Sequence, residues 1–466
     1  MSWEKLFGCL IIVHSDRSMA KFLLSTLPFV GHVAPMQPVA QQLIERGHEV
    51  LWYASKYFQS QVENTGARFV PITNSFDYGD GDYNKYFPER AALTGLAQLK
   101  FDFKHLFIDP ISGHLQDLEA ILSNFQADVL LADPAVVSVK ILGEKLDIPW
   151  AYLNISVLSL PSCNVPPFGL GMLPTYSQLG QARNAALYWL SDQIFFADVQ
   201  KYFNQLAKTI GFEPFRFGPT VSPWLYLQPS VPSFEYIRTD LPPTVHFIGP
   251  LLPNSPLDAQ MPEWWNEVIN TNKPVLLVTQ GTVATETQQL IEPTLQALAN
   301  EDVLIVTTTG GKSQDKLKLN LPANGRIASF IPFTKLMPHV CVYVTNGGYG
   351  GVTVALAHGV PIVSGGQTED KPEVNNRIAY SGVGINLKTA TPKPRQIRDA
   401  VMKVLSDNRY QQKAQYMKAE FANYNAADTA ARLLEKLAIT KQPVYANLPQ
   451  EAYLAGWRQS AIAYST

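Results

Sequence analysis

Cysteine is scarce in this chain. Cys9, Cys163 and Cys341 are odd in number and far apart along 466 residues. That argues against a disulfide framework and for a reducing compartment. No cysteine or histidine pair has the spacing of metal ligands. Charge is sparse and balanced: charged residues are 16% and the net charge is −2, so nothing electrostatic favours a nucleic acid partner. No apolar run approaches the roughly 20 residues that a membrane-crossing helix needs. No G-x-G-x-x-G follows the first strand-like run, which argues against a nicotinamide dinucleotide site.

Apolar residues are plentiful at 46%, enough for large parallel sheets buried on both faces. The length suits two domains of ordinary size. Within residues 1–20 a short apolar run, 6–13, follows Lys5, and Ser18-Met19-Ala20 loosely fits a signal cleavage site. His14, Asp16 and Arg17 interrupt that pattern, so the segment reads instead as an extension upstream of a start at Met19.

The spacing predicts strands at 21–27, 49–54 and 67–72, a turn at 28–35 and helices at 36–44 and 55–64. This βαβαβ opening predicts a doubly wound sheet. A looser stretch, 74–125, carries Phe76, Tyr78, Tyr83, Tyr86, Phe87, Phe101, Phe103 and Phe107. Strands are expected at 127–132, 150–153, 224–227 and 245–248, with helices at 136–146 and along 178–210. Together these make a first domain over 21–250. The proline-rich, weakly periodic 251–273 reads as a linker. A second α/β domain over 274–440 has strands at 275–279, 303–307, 326–330, 341–344 and 360–363. Its helices are expected at 285–299, 352–357, 394–405 and 409–437. The tail, 441–466, is expected to cross back to the first domain.

The stretch 341–387 is the most informative. An apolar strand leads into Gly347-Gly348-Tyr349-Gly350-Gly351, then a helix, then a second strand. Such a crossover leaves helix N–H groups free at the carboxyl end of a parallel sheet. Glycines admit a ligand close to the backbone, and the helix end favours an anion, so a diphosphate suits it. The alternative is a turn that merely packs helix on sheet. His32 stands just after the first strand, where an imidazole could accept a proton, or simply cap a turn. Asp133 ends the 127–132 strand at the same sheet edge, where a carboxylate could orient that imidazole, or cap the next helix. Asp128 begins that strand and faces the other end.

These residues resemble the family 1 glycosyltransferases, enzymes of the GT-B fold. The resemblance runs from about Lys21 to Ala438. Asn346-Gly347-Gly348, Gly359-Val360-Pro361 and Asp370-Lys371 fall in register with the family's donor-binding signature. It implies two doubly wound Rossmann-like domains facing a central cleft, the acceptor on the first and the nucleotide sugar on the second. Gly31-His32 looks like the family's Gly-His motif, so His32 would be the catalytic base and Asp133 its partner. Gly281 and Thr282 would meet the donor phosphates, with Gly347, Gly348, Gly350, Gly351 and Val352 at the helix start. Phe330 would stack on the base and Ile331 read its edge. Asp370 would hold vicinal sugar hydroxyls, with Glu369 and Lys371 beside it.

The implied reaction is inverting, metal-independent transfer of a hexose from a UDP- or dTDP-sugar to a hydroxyl of an apolar small molecule, with no bound cofactor. The aromatics of 74–125 would suit a planar or lipid-like acceptor and would allow weak membrane association. A nucleotide-sugar enzyme needs a cytoplasmic donor pool. Three polar positions depart from the signature. Asn346 replaces a His and would still donate to phosphate through its amide. Phe333 replaces a Gln, and Val354 stands where a ribose-binding Glu is usual. The last two favour a deoxyribose donor. They also keep open a non-catalytic nucleotide-sugar-binding or auxiliary protein, and more remotely a GT-B epimerase.

Overall fold

The computed structural model describes residues 19–79, 83–253, 260–280, 287–310 and 319–446. Its first sheet contains β1 (Lys21–Ser25), β2 (Glu49–Ala54), β3 (Arg68–Pro71), β4 (Val129–Ala132), β5 (Trp150–Leu153), β6 (Leu225–Gln228) and β7 (Val245–Phe247). Their order is β3-β2-β1-β4-β5-β6-β7, and every pairing is parallel. The second sheet contains β8 (Val275–Thr279), β9 (Leu304–Thr308), β10 (Gly325–Ala328), β11 (Val340–Thr345), β12 (Ile362–Ser364) and β13 (Gly384–Asn386). It runs β10-β9-β8-β11-β12-β13, also all parallel. The central strands read as near-continuous apolar runs because both faces are covered, whereas edge strands β3, β10 and β13 carry Arg68, Arg326 and Asn386. In β1, Phe22 and Leu24 join one core cluster while Leu23 joins another.

The strand order reverses between β1 and β4 in one sheet and between β8 and β11 in the other. Crossovers leave each of those neighbouring strand ends in opposite directions, which opens a crevice at the carboxyl edge. Tyr349 of the second domain donates its hydroxyl to the Pro229 carbonyl of the first at 2.7 Å, so the two carboxyl edges face each other.

Four expectations are corrected. The first helix spans Val30–Glu45 rather than starting at Met36, with Pro35 and Pro38 inside it. Each internal proline costs a ladder hydrogen bond. Burial of Val33, Met36, Val39, Ala40 and Leu43 along one face, at about 1.5–3 kcal/mol per large side chain, outweighs that. The 178–210 stretch breaks into helices Gln178–Leu190 and Ala197–Ile210 around a wider turn at Ser191–Phe195. Within 251–273, a helix Trp265–Asn270 seals the second core with Val268, beside Trp264 and Trp265; proline richness masked it. Finally, the chain crosses back earlier than the tail. Helix Ala426–Thr440 puts Ala430, Ala431, Leu434 and Leu437 into the first domain's core. Arg46 forks onto Glu435 and Asp428 from the other side. Among the described residues, no helix is long and apolar enough to cross a membrane.

Candidate active site

The reversal between β1 and β4 brings His32 and Asp133 together. His32 lies in the first turn of the Val30–Glu45 helix that follows β1, and Asp133 follows β4 directly. His32 Nδ1 stands 3.1 Å from Asp133 Oδ1, with the two side chains 15% and 0% exposed. The contact lies off the line of a well-aligned hydrogen bond, as is common in catalytic pairs before substrate tightens them. Asp133 cannot swing away. The Leu27 amide donates to Oδ2 at 3.0 Å and the Ala135 amide to Oδ1 at 2.9 Å. The second of these is the turn-capping role, so the carboxylate caps and orients at once. Asp128 accepts from the Lys21 amide at the opposite end of the strands.

A wall of rings rises beside the imidazole. Phe29 lies against His32 with ring centroids 4.8 Å apart. Tyr78, Tyr83 and Phe107 surround Phe29 at 5.6, 5.3 and 6.4 Å. Sequence reasoning passed over Phe29, although it immediately precedes the helix that carries the base. A second polar group is sunk in the same sheet's core. Tyr53 donates to Asp117 at 2.8 Å and lies 2.8 Å from His114 Nδ1. Burial pushes His114 down to about 4, against the pull of Asp117 and Asp133. Asp117 bears its own burial penalty, yet bonds from Thr73, Tyr53 and Asn74 hold it below the usual carboxylate range.

On the second sheet, β11 ends in the glycine turn. Gly347 has φ +96°, and a Cβ there would meet Asn375 Oδ1 at 1.9 Å. Gly348 caps the Tyr349–Ala357 helix. Around Gly348 and Gly350 a Cβ would find open space or only a distant neighbour. Helix geometry leaves the N–H groups of Tyr349, Gly350 and Gly351 without intrahelical acceptors. Free donors at a helix start are the arrangement that favours an anion. Val352 does not contribute as expected: its N–H already donates to the Gly348 carbonyl at 3.1 Å, and its side chain is buried in the core. Asn346 acts as a brace. Its Nδ2 donates to the Gln280 carbonyl, its Oδ1 accepts from the Gly348 amide, and the residue is 6% exposed. It ties the end of β8 to the helix start. Gly281 and Thr282 lie outside the described residues.

Asp370 caps the Lys371–Tyr380 helix, where the Ser156 hydroxyl, from the loop after β5, donates to its Oδ2. The residue as a whole is partly exposed, but its carboxyl is enclosed enough that burial raises its pKa, opposed by Ser156 and Lys371. Lys371 and Glu369 pair with each other instead of extending toward a ligand, and Lys371 is buried. Glu369 adopts a left-handed φ of +57°. Phe330, just past edge strand β10, is 56% exposed, whereas Ile331 is buried. Val354 and Phe333, two of the signature departures, belong to the apolar core of the second domain.

Residues 292–437 match the family described as erythromycin biosynthesis protein CIII-like, C-terminal domain. The chain is 42% identical over 423 residues to 4'-demethylrebeccamycin synthase of Lentzea aerocolonigenes, covering 90% of this chain and 99% of that one. It is 33% identical to UDP-glycosyltransferase 2 of Phaeomoniella chlamydospora, covering 89% and 95%. The crystal structure of the kitacinnamycin glycosyltransferase shares the fold with a TM-score of 0.70 at 22% identity, covering 90% of this chain and 98% of that one. Two opposed Rossmann-like domains, a sequence match along nearly the whole chain and the site at their shared edge lead to one conclusion: this chain belongs to the family 1 glycosyltransferases and is a GT-B glycosyltransferase.

Proposed function

We propose that the enzyme transfers a hexose, with inversion and without a metal, from a nucleoside-diphosphate sugar to a hydroxyl of an apolar, ring-bearing natural product. The observation that carries this reading is the His32–Asp133 pair, anchored by two backbone amides beside an aromatic wall. Nδ1 faces Asp133, so Nε2 takes the proton from the acceptor hydroxyl. The acceptor oxygen then bonds to the anomeric carbon from the face opposite the diphosphate. The anomeric C–O bond breaks, and its electron pair leaves with the diphosphate. Charge on that leaving group meets the N–H groups of Tyr349, Gly350 and Gly351. Asp370 holds sugar hydroxyls, and the Phe29, Tyr78, Tyr83 and Phe107 rings line the acceptor side.

The nucleoside is the finer question. Several relatives are named for UDP. In this chain, buried Val354 and core-packed Phe333 offer no polar group to a ribose 2′-hydroxyl. A dTDP-sugar demands less of those positions. The test incubates parent and His32→Ala enzyme with UDP- and dTDP-hexoses and a panel of phenolic, polyketide and isoprenoid alcohols. A hexose mass increment on the acceptor, lost in His32→Ala, is expected. Transfer that survives in His32→Ala would overturn the base assignment, and much stronger thermal protection by UDP- than by dTDP-sugars would overturn the donor preference.

A further inference from the structure

The Lys371–Tyr380 helix buries seven of its ten residues, yet most of its buried face is charged or amide-bearing. Asp370, Glu373 and Arg377 stand at i, i+3 and i+7, which places them on one face of the helix, about 10 Å from end to end. Each of the three touches the other domain. Asp370 accepts from Ser156. Glu373 Oε1 accepts from the Gly169 and Gly171 amides at 3.0 and 3.1 Å. Arg377 donates through Nε to Glu235 Oε2 at 2.7 Å, and through its second terminal nitrogen to the Leu158 carbonyl at 3.1 Å. The Tyr236 ring lies 4.1 Å from the guanidinium carbon.

This knot is closed. Arg377 and Glu235 side chains are 1% and 0% exposed. The remaining oxygen of Glu235 accepts from the Leu158 amide at 2.7 Å. Arg377 also returns to the Glu373 carbonyl at 3.1 Å and to its carboxylate at 3.3 Å. A buried ion pair with both carboxylate oxygens bonded contributes little net stability over an apolar substitute, but it specifies one geometry and tolerates no half-removal.

We propose that Arg377 is a positioning residue for the sugar-holding carboxylate Asp370, so that the acceptor-side domain sets where the donor's sugar is gripped. This rests on the reading of Asp370 as the sugar ligand. The helix cannot rotate or slide without breaking contacts at Ser156, at Gly169 and Gly171, and at Glu235 together. The Ser156 and glycine contacts come from the loop that follows β5, beside the acceptor face, so what that loop does is transmitted to Asp370.

The test compares binding of UDP with UDP-glucose, and of dTDP with dTDP-glucose, by titration calorimetry on the full chain. It uses Arg377→Lys, Arg377→Met, the double variant Glu235→Gln/Arg377→Met, and Asp370→Ala. The double variant removes both charges of the Glu235–Arg377 pair, and with them the cost that Arg377→Met alone carries of leaving Glu235 buried and unpaired, while the Gly169 and Gly171 amides still hold Glu373. The expected result is unchanged affinity for the bare diphosphates and a sugar-dependent increment reduced about tenfold or more in every Arg377 variant that folds, since misplacement by about 1 Å costs up to about 10²-fold. The donor KM should rise while the acceptor KM holds. If Asp370→Ala removes the sugar increment but the folded Arg377 variants keep it, the positioning role is refuted. If Asp370→Ala itself leaves the increment intact, the underlying reading of Asp370 fails instead.

Discussion

Replacing Asp133 by asparagine changes one atom of a buried site, and its consequences follow from where the two oxygens stand. Oδ2 takes the Leu27 amide at 3.0 Å, while Oδ1 takes the Ala135 amide at 2.9 Å and faces His32 Nδ1 at 3.1 Å. An asparagine supplies one acceptor oxygen for these donors, so its NH2 must confront an amide N–H in either orientation. A buried donor left facing a donor costs about 1–3 kcal/mol. If the NH2 takes the Oδ1 place, it also confronts Nδ1 of His32, which then holds its proton on Nε2 and cannot act as base. If it takes the Oδ2 place, the orienting oxygen remains but the imidazolium loses its countercharge. Either way kcat should fall by about 10²–10⁴-fold, the unfolding midpoint should drop, and affinity for the nucleoside diphosphate in the other domain should hold. Initial rates of diphosphate release at saturating donor, with urea unfolding in parallel, measure both. Because the pair acts as a unit, Asp133→Asn added to His32→Ala should cost little beyond His32→Ala alone. A kcat within about threefold of the parent, or fully additive losses, would refute the dyad.

Two other outcomes follow from the geometry. His114 is neutral when folded until about pH 4, whereas its ordinary value is 6.5. Between those values the unfolded chain binds the extra proton, so stability falls as pH drops through this window, by at most about 3 kcal/mol; chemical unfolding from pH 7 to 4 should show a shallower pH slope in His114→Gln than in the parent. At Gly347, the left-handed φ of +96° and an Asn375 oxygen 1.9 Å from any Cβ predict that Gly347→Ala loses about 2 kcal/mol or more and weakens diphosphate binding, both readable by melting with and without the diphosphate.

Twelve of the thirteen strands were legible in the sequence because burial on two faces leaves mostly apolar residues; the exception is edge strand β13, whose three residues Gly384–Asn386 carry no apolar run. Trp150–Leu153 and Val275–Thr279 match their expected bounds. The glycine cluster was legible for a local reason too, since a strand that must turn into a helix at once leaves its mark within a few residues. His32 and Asp133 were each legible at the end of a strand, and their pairing was expected from the shared sheet edge and the family resemblance. That they meet is a consequence of β1 pairing with β4, a contact between segments about a hundred residues apart that no local pattern records.

The Lys371–Tyr380 helix escaped sequence reading because its buried face carries Glu373, Asn375, Asn376 and Arg377 rather than an apolar stripe. Glu373 and Arg377 are tolerated inside because the other domain supplies partners, Glu235 standing 142 residues from Arg377, while Asn375 and Asn376 bond within their own domain to Asn346, Gly366 and Asn386. The 409–437 stretch, expected as one helix, breaks into Asn408–Phe421 and Ala426–Thr440, and which domain the second covers was decided by the apolar face left open on the first sheet and by Arg46 reaching Glu435. Asn346 and Val352 lie where the signature placed them, but neighbouring backbone groups claim their polar atoms. The sequence by itself determined most of the strands, the glycine turn and the family, because each is written in short-range pattern. Only the tertiary structure decided which polar groups converge and which are already satisfied, because that depends on partners brought together by the pairing of distant strands.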